Sequence, residues 1–206
     1  MGPDDVREGY ERIAETYAAQ RDQFKSAPYL KRFIDSIPSG GRILDLGCGA
    51  GQPVDAFLVT HGFQVHGIDI SERMIDLARR NVPEATYEVR NMMDLADGEI
   101  TFDGIVAFCS IFHTPRSEHQ SLFHRLASFL NKGGSLLITM GAVEWEGIDD
   151  FHGTDMYWSH FGQDENTKMV ERAGFRILSN ETDHTGDEQH QIILACLDDD
   201  RTQAQL

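Results

Sequence analysis

Lysine is scarce in this chain: four of its 18 basic residues are lysines, set against 34 acidic residues and a formal charge of -16. Such a surface repels phosphate backbones and anionic lipid at long range, so neither nucleic acid nor a membrane is expected as a partner. Cysteine is scarce too. Cys48, Cys109 and Cys196 are widely spaced and odd in number, which excludes a disulfide framework or zinc ribbon and suits a reducing compartment. No apolar run approaches the ~18 residues of a membrane span, and the opening Met1-Gly-Pro-Asp-Asp has neither part of a secretory leader. A soluble, cytoplasmic protein is the expectation. Asp outnumbers Glu, a balance found in halophilic proteins and in proteins of GC-rich genomes; a solvated acidic surface that aids solubility accounts for it as well.

No internal repeat or low-complexity linker divides the 206 residues. One domain is expected over 1–197, with an acidic, flexible tail at 198–206. Apolar runs at 42–46, 64–70, 86–90, 102–108 and 135–140 read as strands, and helix-period segments separate them. That alternation predicts a parallel sheet with helices on both faces. Ser71 precedes Met74, Ile75, Leu77 and Ala78 at helical spacing and is a candidate N-cap. Upstream, 4–21 carries Val6, Tyr10, Ile13, Ala14 and Tyr17 on one stripe, and 1–37 is read as N-terminal capping helices. Downstream, 163–173 reads as a helix and 175–181 and 189–197 as two closing strands. Between them and the fifth strand, 142–162 is rich in Trp, Tyr, Phe and His without a clear period, so it is read as an irregular, lid-like insertion.

The most specific signal is Leu44-Asp45-Leu46-Gly47-Cys48-Gly49-Ala50-Gly51, at the end of the first strand and just before a helix starting near Pro53. Glycines there permit a sharp turn and close approach of a ligand, at a helix N-terminus where amides point outward. A nicotinamide dinucleotide loop would place its third glycine at residue 52, which is Gln, so that oxidoreductase reading is disfavoured. Two carboxylates accompany the loop. Asp69, ending the second strand, can accept both hydroxyls of a ribose, and Asp45 can face a cationic amino group.

On these residues the chain resembles the class I S-adenosylmethionine-dependent methyltransferases, whose first motif matches Asp45-Leu-Gly-Cys-Gly-Ala-Gly. The resemblance implies a doubly wound α/β fold: a seven-stranded, mostly parallel sheet with an antiparallel last strand. It implies S-adenosyl-L-methionine as cofactor, with Gly47, Cys48, Gly49 and Gly51 as the loop against its methionine and ribose portions. Asp69 would hold the ribose, Ile70 would pack on the adenine, and Met74 and Phe108 would complete the wall. Where the family often has an Asp for the adenine amino group, this chain has Asn91, whose side-chain oxygen still accepts, followed by Met92. Tyr10 and Tyr17 resemble a Tyr-x(6)-Tyr helix that closes the pocket. Asn131-Lys-Gly-Gly resembles the turn before the fifth strand and carries no chemistry.

Methyl transfer is an in-line displacement, so alignment and exclusion of water matter most and a base is optional. The acceptor is expected beyond the fourth strand, at Phe108-Cys109-Ser110-Ile111-Phe112-His113-Thr114-Pro115. The Asp/Asn-Pro-Pro-aromatic signature of family members acting on DNA bases or glutamine is missing, and Cys109 follows Phe108 rather than Pro, so it reads as a core or pocket-wall thiol. A small-molecule acceptor with an N, O or C nucleophile follows. His113, His160 and Tyr17 are the candidate catalytic residues. Tyr10, His113, Met156, Tyr157, Trp158, His160 and His190 are the candidate substrate-binding ones, with Tyr157 and Trp158 able to stack on a planar or cationic acceptor. Asp183, His184, Asp187, Glu188 and His190, even with His152 and His160, match no ligand spacing, and no metal is expected. A regulatory or degenerate module that binds the cofactor without transfer remains the alternative.

Overall fold

The computed structural model describes residues 3–20, 26–96, 100–184 and 189–198. It opens with α1 (Pro3–Gln20) and α2 (Ala27–Ile34), then alternates β1 (Arg42–Leu46), α3 (Val54–Thr60), β2 (Gln64–Asp69), α4 (Glu72–Asn81) and β3 (Thr86–Val89). After β4 (Phe102–Ala107) come α5 (Arg116–Ser128), β5 (Leu130–Gly141), β6 (Trp145–Phe151), β7 (Thr154–His160), α6 (Gln163–Arg172), β8 (Phe175–Asp183) and β9 (His190–Leu197). Seven strands form one sheet in the order β3-β2-β1-β4-β5-β9-β8. β1 to β5 run parallel, and β9 is antiparallel to both neighbours. This is the doubly wound sheet that alternating buried strands and amphipathic helices require.

Each face carries its own core. On one, Leu122, Phe123 and Leu126 of α5 and Met169 and Val170 of α6 pack against Leu44, Ile105, Leu136 and Ile193. On the other, Leu30 and Phe33 of α2 and Val54 and Leu58 of α3 cover Ile43, Val106 and Leu137. α2 therefore covers the sheet itself, because Leu30 and Phe33 are fully buried there. α4 starts as its sequence suggests: the Ser71 side chain accepts the Met74 N–H at 3.2 Å, which satisfies an otherwise orphaned amide.

Two local expectations are corrected. Asn131-Lys-Gly-Gly does not precede the fifth strand but lies within β5, where the pairing with β4 shifts between Phe102 and Gly104 and Gly133 has φ of 72°. The stretch 142–162 is not irregular, since β6 and β7 pair as an antiparallel ribbon from Trp145↔His160 to Phe151↔Thr154. Its two-residue turn is His152-Gly153, with φ of 55° and 80°, the positive values that a tight hairpin needs. β6 hides no periodic face, which is why its sequence shows no period. The ribbon closes over α1 instead: Val6 and Ile13 of α1 bury Met156 of β7 completely.

Candidate active site

β1 and β4 are neighbours in the sheet while α3 and α5 leave on opposite faces, so a crevice opens at their carboxyl ends. A cleft lies there, lined by the loop after β1, the ends of β2 and β3, the segment after β4, and α1 from above. Gly47 has φ of 74°, and a side chain on it would come within 2.4 Å of the Ser110 Cβ. Ser110 braces that contact by donating from Oγ to the Leu46 carbonyl at 2.6 Å. Gly51, with φ of 76°, turns away from the cleft, and a Cβ there would meet the Tyr87 hydroxyl at 2.9 Å. Its part is to seat the loop on β3 rather than to touch a ligand.

The loop's amides do not point outward as the sequence suggests. Those of Gly47 and Cys48 donate to the Ile68 carbonyl at 2.8 and 3.0 Å, and that of Gly49 donates to Asp69 Oδ2 at 2.9 Å. A loop that spends its donors on β2 is no phosphate cradle, and this speaks against a dinucleotide more directly than Gln52 does. Asp69 Oδ1 accepts from the Ser71 N–H, also at 2.9 Å. Both oxygens are thus aimed by backbone, and acceptor capacity remains for a hydroxyl. Burial holds the Asp69 carboxyl up at about 6 even though the Ser71, Gly49 and Ile70 amides favour its charged form. Ile70, Met74, Met92 and Phe108 give the cleft apolar walls, and Asp45, 2% exposed, closes its base. Asn91 lines the cleft too, and its Oδ1 already accepts the Met93 N–H at 2.9 Å, leaving one lone pair. An apolar slot beside a hydroxyl-accepting carboxylate, with a second carboxylate behind the loop, fits an adenosyl group bearing a cationic tail.

On the other side of the cleft, His113 is 7% exposed and held at both nitrogens. Its Nδ1 lies 2.8 Å from the Tyr157 carbonyl oxygen and its Nε2 lies 2.8 Å from the Tyr10 hydroxyl. A carbonyl only accepts, so Nδ1 carries a proton, and in the neutral ring Nε2 is the acceptor for the Tyr10 hydroxyl. Tyr17 lines the same roof, with its ring 5.4 Å from that of Tyr10 and 5.7 Å from Phe151.

The other substrate-binding candidates stand farther out. Met156 is the hairpin's anchor in α1. Tyr157 contributes its carbonyl, while its hydroxyl turns to the surface and donates to Glu146 at 2.8 Å. Trp158 packs on the His113 ring at 4.4 Å, and His190 stacks on Phe112 at 5.9 Å. His160 is not brought to the cleft. Its ring occupies the space that a Gly141 side chain would fill, with Nδ1 only 2.0 Å from such a Cβ, so it seats the hairpin on the end of β5. Asp187 and Glu188 fall outside the described residues, and among the described residues no group of three His, Cys, Asp or Glu is placed to hold a metal.

Sequence reasoning did not single out Arg90 and gave Gln52 no contact with a ligand, yet both line the cleft, as does Thr114 of the segment after β4. Cys109 lines it too, with a left-handed backbone, φ of 54°, that a non-glycine residue adopts only under constraint. Asp55, fully buried, and the half-buried Tyr87 form a layer under the loop, the tyrosine donating to Asp55 Oδ2 at 3.0 Å. No short motif announces these contacts, because each joins segments far apart in the chain.

Residues 43–134 match the family described as a methyltransferase domain. The chain is 27% identical over 154 residues to the O-methyltransferase resE of Aspergillus sclerotiorum, covering 69% of this chain and 58% of that protein. It is 25% identical over 196 residues to the putative methyltransferase YqeM of Bacillus subtilis (strain 168), covering 87% and 79%. In fold it is similar to the 1,6-didemethyltoxoflavin-N1-methyltransferase of Burkholderia thailandensis, with a TM-score of 0.76 at 17% identity over 95% of this chain and 88% of that one. The glycine loop, its two carboxylates, the strand order and these likenesses agree: residues 43–134 match a methyltransferase domain, and the chain has the fold and the glycine loop of the class I S-adenosylmethionine-dependent methyltransferases.

Proposed function

We propose that the protein transfers the methyl group of S-adenosylmethionine to a small-molecule N, O or C nucleophile, and that Tyr10 and His113 take up the proton this acceptor gives away. The observation that carries the proposal is the chain Tyr10 hydroxyl to His113 Nε2 to Tyr157 carbonyl, two contacts of 2.8 Å on the wall of the cleft. When bound, the cofactor supplies an electrophilic methyl group on a sulfonium. Asp69 would hold its ribose, Asp45 would face its amino group, and Ile70 and Met92 would flank its base. His113 Nε2 can receive the Tyr10 hydroxyl proton while the Tyr10 oxygen takes that of the acceptor. The resulting imidazolium keeps its Nδ1–H on the Tyr157 carbonyl, which favours the charged ring. α1 and the β6–β7 hairpin are read as a lid, since the apolar contacts among Val6, Ile13 and Met156 join them over the cleft and keep water out.

The acceptor is proposed to be small because the roof leaves only the cleft itself, and the acidic surface argues against nucleic acid. Among the described residues no helix is long and apolar enough to cross a membrane. A cytoplasmic place of work is proposed from composition.

The test is turnover. The protein is incubated with S-adenosylmethionine and a panel of phenols, indoles and amines, and S-adenosylhomocysteine is measured. Tyr10→Phe and His113→Ala are expected to lower turnover of any accepted substrate by roughly 10²-fold or more, with cofactor affinity unchanged. Cofactor binding without turnover of any acceptor would favour the regulatory reading, and full turnover in both variants would remove the relay.

A further inference from the structure

Beneath the glycine loop lies a carboxyl group that this chemistry does not use. Asp55, in the first turn of α3, is completely buried. Its Oδ2 accepts from the Tyr87 hydroxyl, whereas its Oδ1, equally buried, has no hydrogen-bond partner among the described residues. The neighbouring carboxyl that acts on it is that of Asp45, itself only 2% exposed, which lines the cleft. Two carboxylates are acceptors only, so a bond between them exists when one carries a proton. The other titratable groups facing the pair are Cys48 on the loop and Tyr87 on β3, with Asp69 on β2 acting on Cys48. None is a cation, and each is disfavoured in its charged form by burial, the carboxylates beside Cys48 and Tyr87 adding to it.

We propose that Asp55 is a positioning residue of the cofactor site, sharing one proton with Asp45 in the free protein, and that the pair releases this proton when a cationic aminoacyl group binds at Asp45. The proposal rests on the reading that Asp45 faces the cofactor's amino group. The physical reason is exchange of countercharges: two buried negative charges side by side need one positive partner, which is a proton before binding and the ligand's ammonium after it. Burial sets Asp55 at about 6, against the opposing pull of Asp45 and Tyr87, so the exchange falls within an accessible range of pH. Asp69 titrates in the same range, so the wild-type protein alone does not isolate the pair.

The experiment is calorimetric titration at pH 5.5 in two buffers of different ionisation enthalpy, which counts protons released per ligand bound. S-adenosylmethionine and S-adenosylhomocysteine both carry the ammonium; adenosine lacks it but retains the ribose for Asp69. Wild type is expected to release more protons than Asp55→Asn with the first two ligands and the same number with adenosine. Between pH 7.5 and 5.5 the affinity of wild type for S-adenosylhomocysteine should fall about fourfold further than that of the variant. Equal proton release by both proteins with the ammonium ligands would overturn the proposal, whereas failure of any of the three ligands to bind wild type would strike the cofactor reading beneath it. Should Asp55→Asn not fold, infrared difference spectra of wild type at pH 5.5 decide the matter. A protonated-carboxyl band lost on binding S-adenosylhomocysteine and kept on binding adenosine is expected, and its persistence with both ligands refutes the exchange.

Discussion

Asp55→Asn in the free protein should alter stability in a way that depends on pH, and the size of the effect follows from burial. Asp55 is raised from 3.8 to about 6, first by desolvation. The folded protein therefore holds the proton more tightly than the unfolded chain does, so stability is greatest below the unfolded value and is lost as pH rises through the folded one. At ~1.4 kcal/mol per pKa unit, the buried carboxylate costs about 3 kcal/mol at pH 8 and about 1 kcal/mol at pH 4.5. Asn cannot ionise, and its amide can donate to Asp45 where the shared proton lay. The stability of the variant relative to wild type should thus increase by about 2 kcal/mol between pH 4.5 and pH 8, whatever constant offset the substitution brings. Asp69, also near 6, is common to both proteins and cancels. Urea unfolding followed by tryptophan fluorescence at the two pH values measures the difference. A gap that does not change with pH would refute the reasoning, because it would mean that Asp55 carries no proton in the folded state beyond what it carries unfolded.

Further outcomes follow from the site. Asp69→Ala should weaken S-adenosylmethionine binding by on the order of 1 to 3 kcal/mol through lost charge-assisted bonds to the ribose, measurable by calorimetry; unchanged affinity would remove Asp69 from that role. Met156→Ala empties a fully buried position between the hairpin and α1. A loss of roughly 2 to 4 kcal/mol is expected by denaturant unfolding, together with faster proteolysis of the hairpin, and an undisturbed protein would argue against Met156 as its anchor. His160→Ala should leave turnover on an accepted substrate unchanged, since the ring sits against Gly141 rather than in the cleft. A large fall in turnover of the folded variant would return it to the mechanism.

What was legible in the sequence, and what was not, divides along the range of the interactions. The strands, α4 with its Ser71 cap, the glycine loop and Asp69 could be read because each depends on neighbours within a few residues: backbone periodicity, a capping hydroxyl, a turn that needs positive φ. Asp55 could not. In the chain it is one acid in a helix's first turn, which reads as a partner for the helix dipole; only parallel pairing of β1, β2 and β3 lays it under Asp45 and against Tyr87. The hairpin escaped notice because a two-stranded ribbon does not bury one face regularly, although the His152-Gly153 turn was there to be seen. His160 and His113 are equally plausible bases as letters. The sequence by itself determined a doubly wound sheet with a glycine loop after its first strand and a carboxylate at the end of its second, since these are local consequences of residue type and spacing. Only the tertiary structure decided which histidine meets a tyrosine in the cleft and which carboxylate acquires a buried partner, because proximity between distant segments arises from packing and is written in no single stretch of chain.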